Sequence, residues 1–330
     1  MNKGMIKIGC AAYSYRDYLK DGRMKYEDFI EEAHKIGLDG VELTLYWLPS
    51  KDKSYLRELK RLALVHGLPI SCAGISTNFC TPEDSERNKA IEAVKEGLEV
   101  AYELGAPCLR VFGGYIPKGH SEEEAIEWVV ESINSCVDYA KDKGIVLAME
   151  NHGGITARAQ TVIRIVEAVN SPWFRVNLDL GNYRESTYED IEKTVPYAVH
   201  VHAKVSVADK GTKLDYEKIK EIFESKGYNG FVSIEYEEKE DPKIGVPKFA
   251  KYLFDVFRWL EGTKLEDKVR VGIAGLGRSG WNIHSKILEK LPDKYKIVAV
   301  SDPIEERRKE ATEKFGCRAY EDFDSLIKDE

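Results

Sequence analysis

Eight short apolar segments alternate with helical segments along the first 262 of the 330 residues, and this alternation restricts the possible folds more than any other feature. The predicted strands are residues 7–11, 40–45, 69–73, 108–112, 145–150, 174–180, 198–205 and 231–235. Continuous apolar runs of this length are typical of parallel strands that are covered on both faces. Eight regular strand–helix pairs therefore predict an α/β protein with a (β/α)8 TIM barrel over residues 1–262. A doubly wound open sheet is the competing fold, but the regular repeat favours closure.

The helical segments between these strands carry their own boundary signals. Apolar residues recur at helical spacing before Gly37, Gly105 and Gly144, and each glycine can adopt the left-handed conformation that ends a helix. Ser121 and Glu124 have the spacing of a capping box at the start of the helix that precedes Gly144. These signals support the division of the chain into strand–helix pairs.

The fifth strand runs directly into polar residues, in the segment GIVLAMENHGG at 144–154. Because side chains alternate along a strand, Glu150 and His152 are expected to share one face. Three later strands also end in a carboxylate or a histidine, namely Asp179, His202 and Glu235. A TIM barrel carries its active site at the carboxyl ends of its strands, so these side chains are expected to meet there.

A divalent metal ion is the predicted occupant of this meeting point. Glu150, Asp179, His202 and Glu235 offer mainly hard oxygen ligands, which suit Mn²⁺ or Mg²⁺ and tolerate Co²⁺ or Zn²⁺. Three carboxylates packed together without a cation would be very costly. The alternative is that each of the four is a separate polar residue on a loop.

Further polar residues near the strand ends are candidates for binding substrate. His152 would bind a substrate hydroxyl or support the metal ligands, whereas His200, deeper in its strand, is expected to be a packed supporting residue. Lys204 would stabilise an oxyanion or pair with the glutamate after the eighth strand. Arg110 would bind substrate or form an ion pair inside the barrel. Glu42 could reach the site or tie down a loop.

The alternation stops near residue 262, and a new unit begins after a short charged linker at 263–268. The unit at 269–330 opens with a strand at 269–274, a helix at 281–291 and a second strand at 296–301. This order predicts a truncated Rossmann-like α/β unit, with a last helix cut off at residue 330.

The first turn of this unit has the sequence GLGRSG between a strand and a helix, which is the context of a dinucleotide-binding motif. Gly275 permits the tight turn, Gly277 lets the backbone approach a pyrophosphate, and Gly280 allows close helix packing. Asp302 would accept the ribose hydroxyls, which favours NAD. Alternatively, Arg307 and Arg308 would face the 2′-phosphate of a dinucleotide. The other interpretation of these two arginines is that they lie on a solvated helix surface.

The barrel segment resembles the xylose-isomerase-like family of sugar and sugar-phosphate isomerases, epimerases and inosose dehydratases. The matching motifs are GLDGVEL at 37–43, ELGAPCLRVFGG at 103–114, MENHGG at 149–154, NLDLGN at 177–182 and VHVHAKV at 199–205. The resemblance implies that the metal ligands are Glu150, Asp179, His202 and Glu235, and that in ketose epimerases the two glutamates also move the protons. Asn182 and Ala208 replace a histidine and an arginine that some epimerases carry, which weakens a transfer of their substrate specificity.

The C-terminal segment resembles the start of the glucose–fructose oxidoreductase and inositol dehydrogenase family, in VGIAGLGRSG and IVAVSDPIEERRKEATEKFG. The resemblance covers about 60 residues, and the Glu-Lys-Pro catalytic motif of that family has no counterpart. We therefore expect weak or no dehydrogenase activity from this segment, even where it binds NAD.

Composition excludes several classes of protein. The net charge of −8 argues against a nucleic-acid-binding surface. The sequence has no run of about 18 apolar residues, so no membrane span is predicted. The six cysteines form no CxxC pair, which indicates reduced thiols in a cytoplasmic protein. The oligomeric state stays open, a homo-oligomer included.

The favoured function is a metal-dependent isomerase or epimerase that transfers protons on a carbohydrate through an enediolate. A lyase or dehydratase acting on a keto-sugar or keto-inositol would use the same proton removal. An abasic-site endonuclease uses a related barrel, but the acidic composition opposes it. A non-catalytic subunit that senses NAD and sugar is the remaining alternative.

Overall fold

The computed structural model describes residues 6–258, 268–292 and 294–328. These residues divide into two compact units, one within Met1–Arg258 and one within Trp259–Glu330, and each is described by itself. The predicted linker at 263–268 lies outside the described residues except for Lys268.

The first unit is a closed barrel of eight parallel strands in chain order, which confirms the predicted fold. Its strands are β1 Lys7–Ala11, β2 Gly40–Thr44, β3 Ile70–Gly74, β4 Cys108–Phe112, β5 Val146–Glu150, β6 Phe174–Asp179, β7 Ala198–Ala203 and β8 Phe231–Ile234. The barrel closes where β1 pairs with β8, with Ile8 opposite Val232. All eight carboxyl ends therefore surround one opening, which we call the barrel mouth.

Helices cover the outside of the barrel. They are α1 Arg16–Lys20, α2 Tyr26–Ile36, α3 Lys53–Val65, α4 Asp84–Leu104, α5 Glu122–Lys143, α6 Ala159–Val169, α7 Thr187–Thr194, α8 Tyr216–Lys226 and α9 Pro242–Phe257. The apolar faces of these helices and the strands form one large core, and Cys72, Cys108 and Ala148 of the strands form a second, smaller cluster. No helix in the described part of the chain is both long and apolar enough to cross a bilayer.

The predicted helix boundaries follow from local chemistry. Gly37, Gly105 and Gly144 all have the left-handed conformation after α2, α4 and α5. The Ser121 hydroxyl accepts the Glu124 N–H at 3.2 Å, and the Glu124 carboxylate accepts the Ser121 N–H at 2.7 Å. The predicted capping box is therefore present.

Several strands end one or two residues from the predicted position. The prediction extended the seventh strand to residue 205, but β7 ends at Ala203. The reason is a competing partner, since the Lys204 carbonyl accepts a hydrogen bond from the Tyr216 hydroxyl at 2.6 Å. The chain therefore leaves the sheet at the residue that reaches into the barrel mouth.

The second unit is a three-stranded parallel sheet in the order β11-β10-β9. Its elements are β9 Val269–Ala274, α10 Lys286–Glu289, β10 Tyr295–Ser301, α11 Glu305–Phe315, β11 Arg318–Tyr320 and α12 Phe323–Leu326. This arrangement confirms the Rossmann-like strand order.

Two predicted helices of the second unit differ from the structure. Residues 281–291 do not form one α-helix, because Gly280–Ser285 is a wider π-helix that precedes α10. The Ser285 hydroxyl donates to the Trp281 carbonyl, a local bond that competes with regular helix pairing. The last helix ends at Leu326, and residues 329–330 lie outside the described part.

Candidate metal centre at the barrel mouth

Four side chains predicted as metal ligands lie together in the structure. Glu150 and Asp179 are the last residues of β5 and β6, His202 lies near the end of β7, and Glu235 directly follows β8. All four are buried, and one ligand atom from each lies within 4.8 Å of the others. The closed barrel thus brings together residues from four consecutive strands.

The His202 ring lies between the carboxylates. Its Nδ1 atom is 3.5 Å from Glu150, 3.6 Å from Glu235 and 3.8 Å from Asp179. Its Nε2 atom is 2.8 Å from an oxygen of Glu42. Burial alone would lower the pKa of His202, but the charges of Glu42 and Glu235 raise it to about 10. A ring held by Glu42 through Nε2 can offer Nδ1 to a cation.

Glu42 is the residue that sequence reasoning underrated. It lies on β2, is 1% exposed, and meets His202 only because the barrel closes. Burial raises the pKa of Glu42, but the charge and hydrogen bond of His202 outweigh this and leave the pKa below its usual range. The only sequence signal was its position near the end of a strand.

A network of buried hydrogen bonds connects residues inside the barrel to the centre. His200 is within hydrogen-bond distance of Ser71 at 3.1 Å and of Asn177 at 2.8 Å. The Asn177 amide group in turn donates to Glu150 at 3.4 Å. Burial lowers the pKa of His200 to about 4, so the ring is neutral at pH 7. His200 is therefore a packed supporting residue, as predicted.

Asp179 offers an oxygen that suits a cation. Its Oδ1 atom accepts the Gly181 N–H at 2.8 Å, and its backbone is paired with the Asn151 amide at 2.7 and 2.8 Å. Its Oδ2 atom is buried and accepts no hydrogen bond. Burial raises the pKa of Asp179 well above its usual range, and this effect outweighs the nearby Lys204. A buried oxygen that accepts no hydrogen bond, beside two carboxylates and an imidazole and 3.4 Å from the Lys204 Nζ atom, fits a divalent cation.

Lys204 is the main positive charge among these carboxylates. Its Nζ atom is 2.7 Å from Glu235 and 3.4 Å from Asp179, and it also bonds to Glu237. Burial would lower the pKa of Lys204, but the carboxylates raise it well above its usual range. Burial would raise the pKa of Glu235, yet Lys204 and His202 hold it well below its usual range. Lys204 was expected either to stabilise an oxyanion or to pair with Glu235, and the ion pair with Glu235 is present in the structure.

Arg110 is buried inside the barrel and is surrounded by acceptors. Its guanidinium lies 3.2 Å from Glu150, and it donates to the Tyr46 hydroxyl at 2.7 Å and to the Ile75 carbonyl at 2.8 Å. The guanidinium also lies 4.1 Å from the centre of the Phe112 ring. Arg110 therefore forms the ion pair that was one of its two predicted roles, and it orients Glu150.

Aromatic rings line the barrel mouth around these ligands. Tyr13 and Trp47 stack with ring centres 5.8 Å apart, and Tyr115 is 64% exposed. His152 lies beyond the end of β5 and is exposed, with its ring 4.3 Å from the centre of Phe112. Strand alternation therefore does not extend to His152, which lies at the rim.

Asn182 occupies the position where some epimerases carry a histidine. Its amide group donates to Glu150 at 3.5 Å, so this position still faces the centre. The Ala208 N–H donates to the Gly181 carbonyl at 2.8 Å and contributes no polar side chain. Of these two positions, only Asn182 therefore places a polar side chain at the site.

The glycine-rich turn of the second unit has the features expected of a dinucleotide-binding turn. Gly275 has φ +83°, and a Cβ on Gly280 would lie 1.9 Å from the Gly275 carbonyl oxygen. A Cβ on Gly277 would meet only Arg307, at 3.9 Å, so its backbone is open to approach. Asp302 is buried and accepts the N–H of Leu276 at 2.7 Å.

The residues after Asp302 are tied to it. The Ile304 N–H donates to the Asp302 carboxylate at 2.9 Å, and Arg307 lies 3.4 Å from it. Arg308 donates to the Asp302 carbonyl at 2.6 Å. Burial raises the pKa of Asp302, but the N–H donors and Arg307 outweigh this and lower it. The carboxylate therefore holds the glycine-rich turn against the start of α11.

Comparison with known proteins agrees with this architecture. Residues 30–258 match the family described as the xylose isomerase-like TIM barrel. The chain belongs to this family. Residues 269–330 match the oxidoreductase family with an NAD-binding Rossmann fold. Both predicted resemblances are thereby confirmed.

Three proteins similar to the barrel are named as an isomerase, a dehydratase and an epimerase. A putative hydroxypyruvate isomerase of Mus musculus is 26% identical over 186 residues, which are 48% of this chain and 66% of that protein. An inosose dehydratase of Serratia proteamaculans is 23% identical over 311 residues, which are 80% of this chain and 99% of that protein. The structure of D-psicose 3-epimerase from Clostridium cellulolyticum with D-tagatose has a TM-score of 0.60 at 22% identity, covering 69% and 84% of the two chains.

Proposed function

We propose that the barrel is a divalent-metal-dependent isomerase or epimerase of a ketose-type sugar. The observation that carries the proposal is the buried group of Glu150, Asp179, His202 and Glu235, whose ligand atoms lie within 4.8 Å of one another. The Oδ2 atom of Asp179 is buried and accepts no hydrogen bond, although Lys204 Nζ lies 3.4 Å away, and this supports a cation at this point. Relatives named as an isomerase and a dehydratase support carbohydrate chemistry.

The proposed mechanism assigns separate roles to the residues of the centre. A divalent cation, Mn²⁺ being the best match to the donor set, would stabilise negative charge that develops on a substrate oxygen. The carboxylates of Glu235 and Glu150 would remove and return a proton on the carbon next to the carbonyl, through an enediolate. Lys204 and Arg110 hold these two carboxylates in place. His152, exposed at the rim, would bind a substrate hydroxyl.

A lyase that removes water from a keto-sugar or keto-inositol is the second candidate. The observation that favours it is the Lys204 ammonium, 2.7 Å from Glu235, which places a proton donor beside the proposed base. The alignment to the inosose dehydratase covers 99% of that protein, which supports the same reaction class. The two candidates share the first proton transfer and differ in what leaves afterwards.

The second unit is proposed to bind NAD through its glycine-rich turn. Gly277 leaves the backbone open, Gly280 permits close packing, and Asp302 is placed at the end of β10. The carboxylate of Asp302 already accepts two backbone N–H groups, so a ribose would share it with the turn.

Metal content tests the centre directly. We expect about one Mn, Mg, Co or Zn ion per full-length chain by mass spectrometry, and its loss in Asp179→Asn. Asp190→Asn is the matched control, since Asp190 lies on α7 near Lys193 and outside the centre. Absence of metal from the wild-type protein after addition of Mn²⁺ would overturn the proposal.

Reaction in D₂O then separates the two chemistries. An isomerase or epimerase returns a solvent deuteron to carbon and leaves the elemental composition otherwise unchanged, whereas a lyase yields a product lighter by one water. Glu235→Gln should abolish either reaction while the protein stays folded, because the substitution removes the proposed base and keeps the side-chain shape.

A further inference from the structure

We propose that the barrel carries a second binding site, for a small organic phosphate, at the end opposite the barrel mouth. The site is a cavity of about 550 Å³ beside the carboxyl ends of α4 and α5. Residues 105–107, which lead into β4, and residues 144–145, which lead into β5, form part of its wall. Because these residues precede their strands, the cavity lies at the amino ends of the strands, away from the metal centre.

The cavity has an excess of positive charge. The charged side chains that line it are three cations and one carboxylate, namely Arg57, Lys60, Lys143 and Glu103. Their partners outside the lining add one charge of each sign, since Lys53 lies 2.9 Å from Glu103 and Glu99 lies 2.6 Å from Lys143. Hydrogen bonds from Lys53 and Lys143 hold the pKa of Glu103 and of Glu99 below their usual range, so both carboxylates are ionised at pH 7. Four cations against two carboxylates leave two positive charges, in a chain whose net charge is −8.

Lys60 presents an ammonium group without an acceptor. Within the part of the chain that the structure describes, its Nζ atom has no hydrogen-bond or ion-pair partner. The side chain lies across the end of α4, where a Cβ on Gly105 would be 2.8 Å from its Cε atom and 2.9 Å from its Nζ atom. The helix-end carbonyls of Ala101 and Tyr102 already accept the N–H groups of Ala106 and Gly105, at 2.9 and 3.1 Å. The ammonium is therefore held at the cavity and is available to an anion.

Arg57 is anchored in a way that leaves its terminal nitrogens available. Its Nε atom donates to the Glu103 carboxylate at 2.9 Å, and the Glu103 side chain is only 9% exposed. Among the described residues, neither terminal nitrogen of Arg57 has a hydrogen-bond acceptor. A guanidinium fixed through Nε can direct both terminal N–H groups at two oxygens of one phosphate.

An exposed aromatic ring lines the same cavity. Tyr102 is 54% exposed, and the Nζ atom of Lys143 lies 5.0 Å from its ring centre. The cations and the ring together suit a ligand that has both a phosphate and a flat or apolar group. The cavity volume also lies within the range of about 300–1,000 Å³ that is typical of sites for small organic ligands.

Phenyl phosphate tests the site in the full-length chain, with phenol and inorganic phosphate as matched probes. Phenol lacks the charge, and inorganic phosphate lacks the ring. Titration calorimetry should show that phenyl phosphate binds at least about tenfold more tightly than phenol and about threefold more tightly than inorganic phosphate. Its affinity should fall as salt is added, because salt screens the attraction. Equal affinity of phenyl phosphate and either matched probe would overturn the proposal.

Substitutions locate the bound phosphate. Lys60→Met should weaken phenyl phosphate binding at least about tenfold, because it removes the ammonium group and keeps an unbranched side chain. Lys89→Met is the matched control, since Lys89 is another exposed lysine, lies in the first half of α4 and pairs with Glu86 at 2.6 Å. Tyr102→Leu should reduce the preference for phenyl phosphate over inorganic phosphate and leave the affinity for inorganic phosphate unchanged.

Site-resolved labelling provides an independent measurement. Bound phenyl phosphate should slow the acetylation of Lys60 by acetic anhydride at least about threefold, and should leave the rate at Lys89 unchanged, as read by mass spectrometry of the peptides. Binding that is kept in Lys60→Met but lost in Asp179→Asn or in Gly277→Ala would place the phosphate at the metal centre or at the glycine-rich turn, and would overturn the proposal. Absence of binding to the wild-type chain at about 10 mM phenyl phosphate would also overturn it.

Discussion

At the scale of single residues, the His202 ring is oriented by the Glu42 carboxylate, which also lies 3.9 Å from His200. Glu42 binds Nε2 at 2.8 Å, and Nδ1 is left facing the three other carboxylates. Both side chains are fully buried, so water does not compete for either nitrogen. Partners that orient a ligand in this way also raise its basicity toward a metal.

Replacing this partner should weaken metal binding without removing a ligand. Glu42→Gln keeps an acceptor for the Nε2–H group but loses the negative charge, so we expect Mn²⁺ to bind about tenfold more weakly. Titration calorimetry of the full chain measures the change. Glu103→Gln is the control. Glu103 of α4 is paired with Lys53 and Arg57 of α3, so this substitution should leave the affinity unchanged. An unaltered affinity in Glu42→Gln would show that the charge has no role.

At the scale of elements, the turn between β9 and the following π-helix depends on two glycines for different reasons. A side chain on Gly280 would collide with the Gly275 carbonyl, 1.9 Å from the Cβ position. The Cβ position of Gly277 has only Arg307 nearby, at 3.9 Å. Packing therefore requires a glycine at position 280, whereas the space beside Gly277 is open.

These two positions give a matched pair of variants. Gly280→Ala should destabilise the second unit by roughly 3 kcal/mol, because the collision is with rigid backbone. Gly277→Ala should change its stability by less than about 1 kcal/mol, and should reduce NAD binding if the proposal for this turn is correct. Hydrogen exchange of residues 269–328 in the full chain measures the stability. Equal protection in both variants would contradict the steric argument.

At the scale of the whole molecule, all six cysteines are buried and unpaired. Burial raises the pKa of the thiols of Cys10, Cys80 and Cys136 to about 12. A thiol with a raised pKa is protonated at pH 8 and reacts slowly, since the thiolate is the nucleophile. The cytoplasmic location inferred from these cysteines stays a prediction.

Thiol labelling tests this arrangement in one experiment. The native protein should react with almost no Ellman's reagent at pH 8 within minutes, and the same protein in guanidinium chloride should react at six thiols. The native rate should increase with pH only when the fold opens, because the thiols titrate far above pH 8 in the folded state. Fast reaction of the native protein, or fewer than six thiols after unfolding, would contradict the structure.

Local patterns along the chain were sufficient to predict the barrel and the meeting of four polar side chains at its mouth. Each strand is a short apolar run, and each of Glu150, Asp179, His202 and Glu235 comes at the end of one. Once eight such runs close into a barrel, their carboxyl ends must lie around one opening. The glycine caps after α2, α4 and α5 were equally predictable, since left-handed backbone favours glycine.

Only the tertiary structure decided which partners these side chains have. Glu42 contacts His202 although 160 residues separate them in the sequence. Lys204 forms ion pairs with Asp179, Glu235 and Glu237. Such choices depend on distances of a few ångströms between strands that are far apart in the chain, and no local pattern encodes them. The residue order therefore determined that charged groups meet at the barrel mouth, whereas barrel closure determined how their charges are paired.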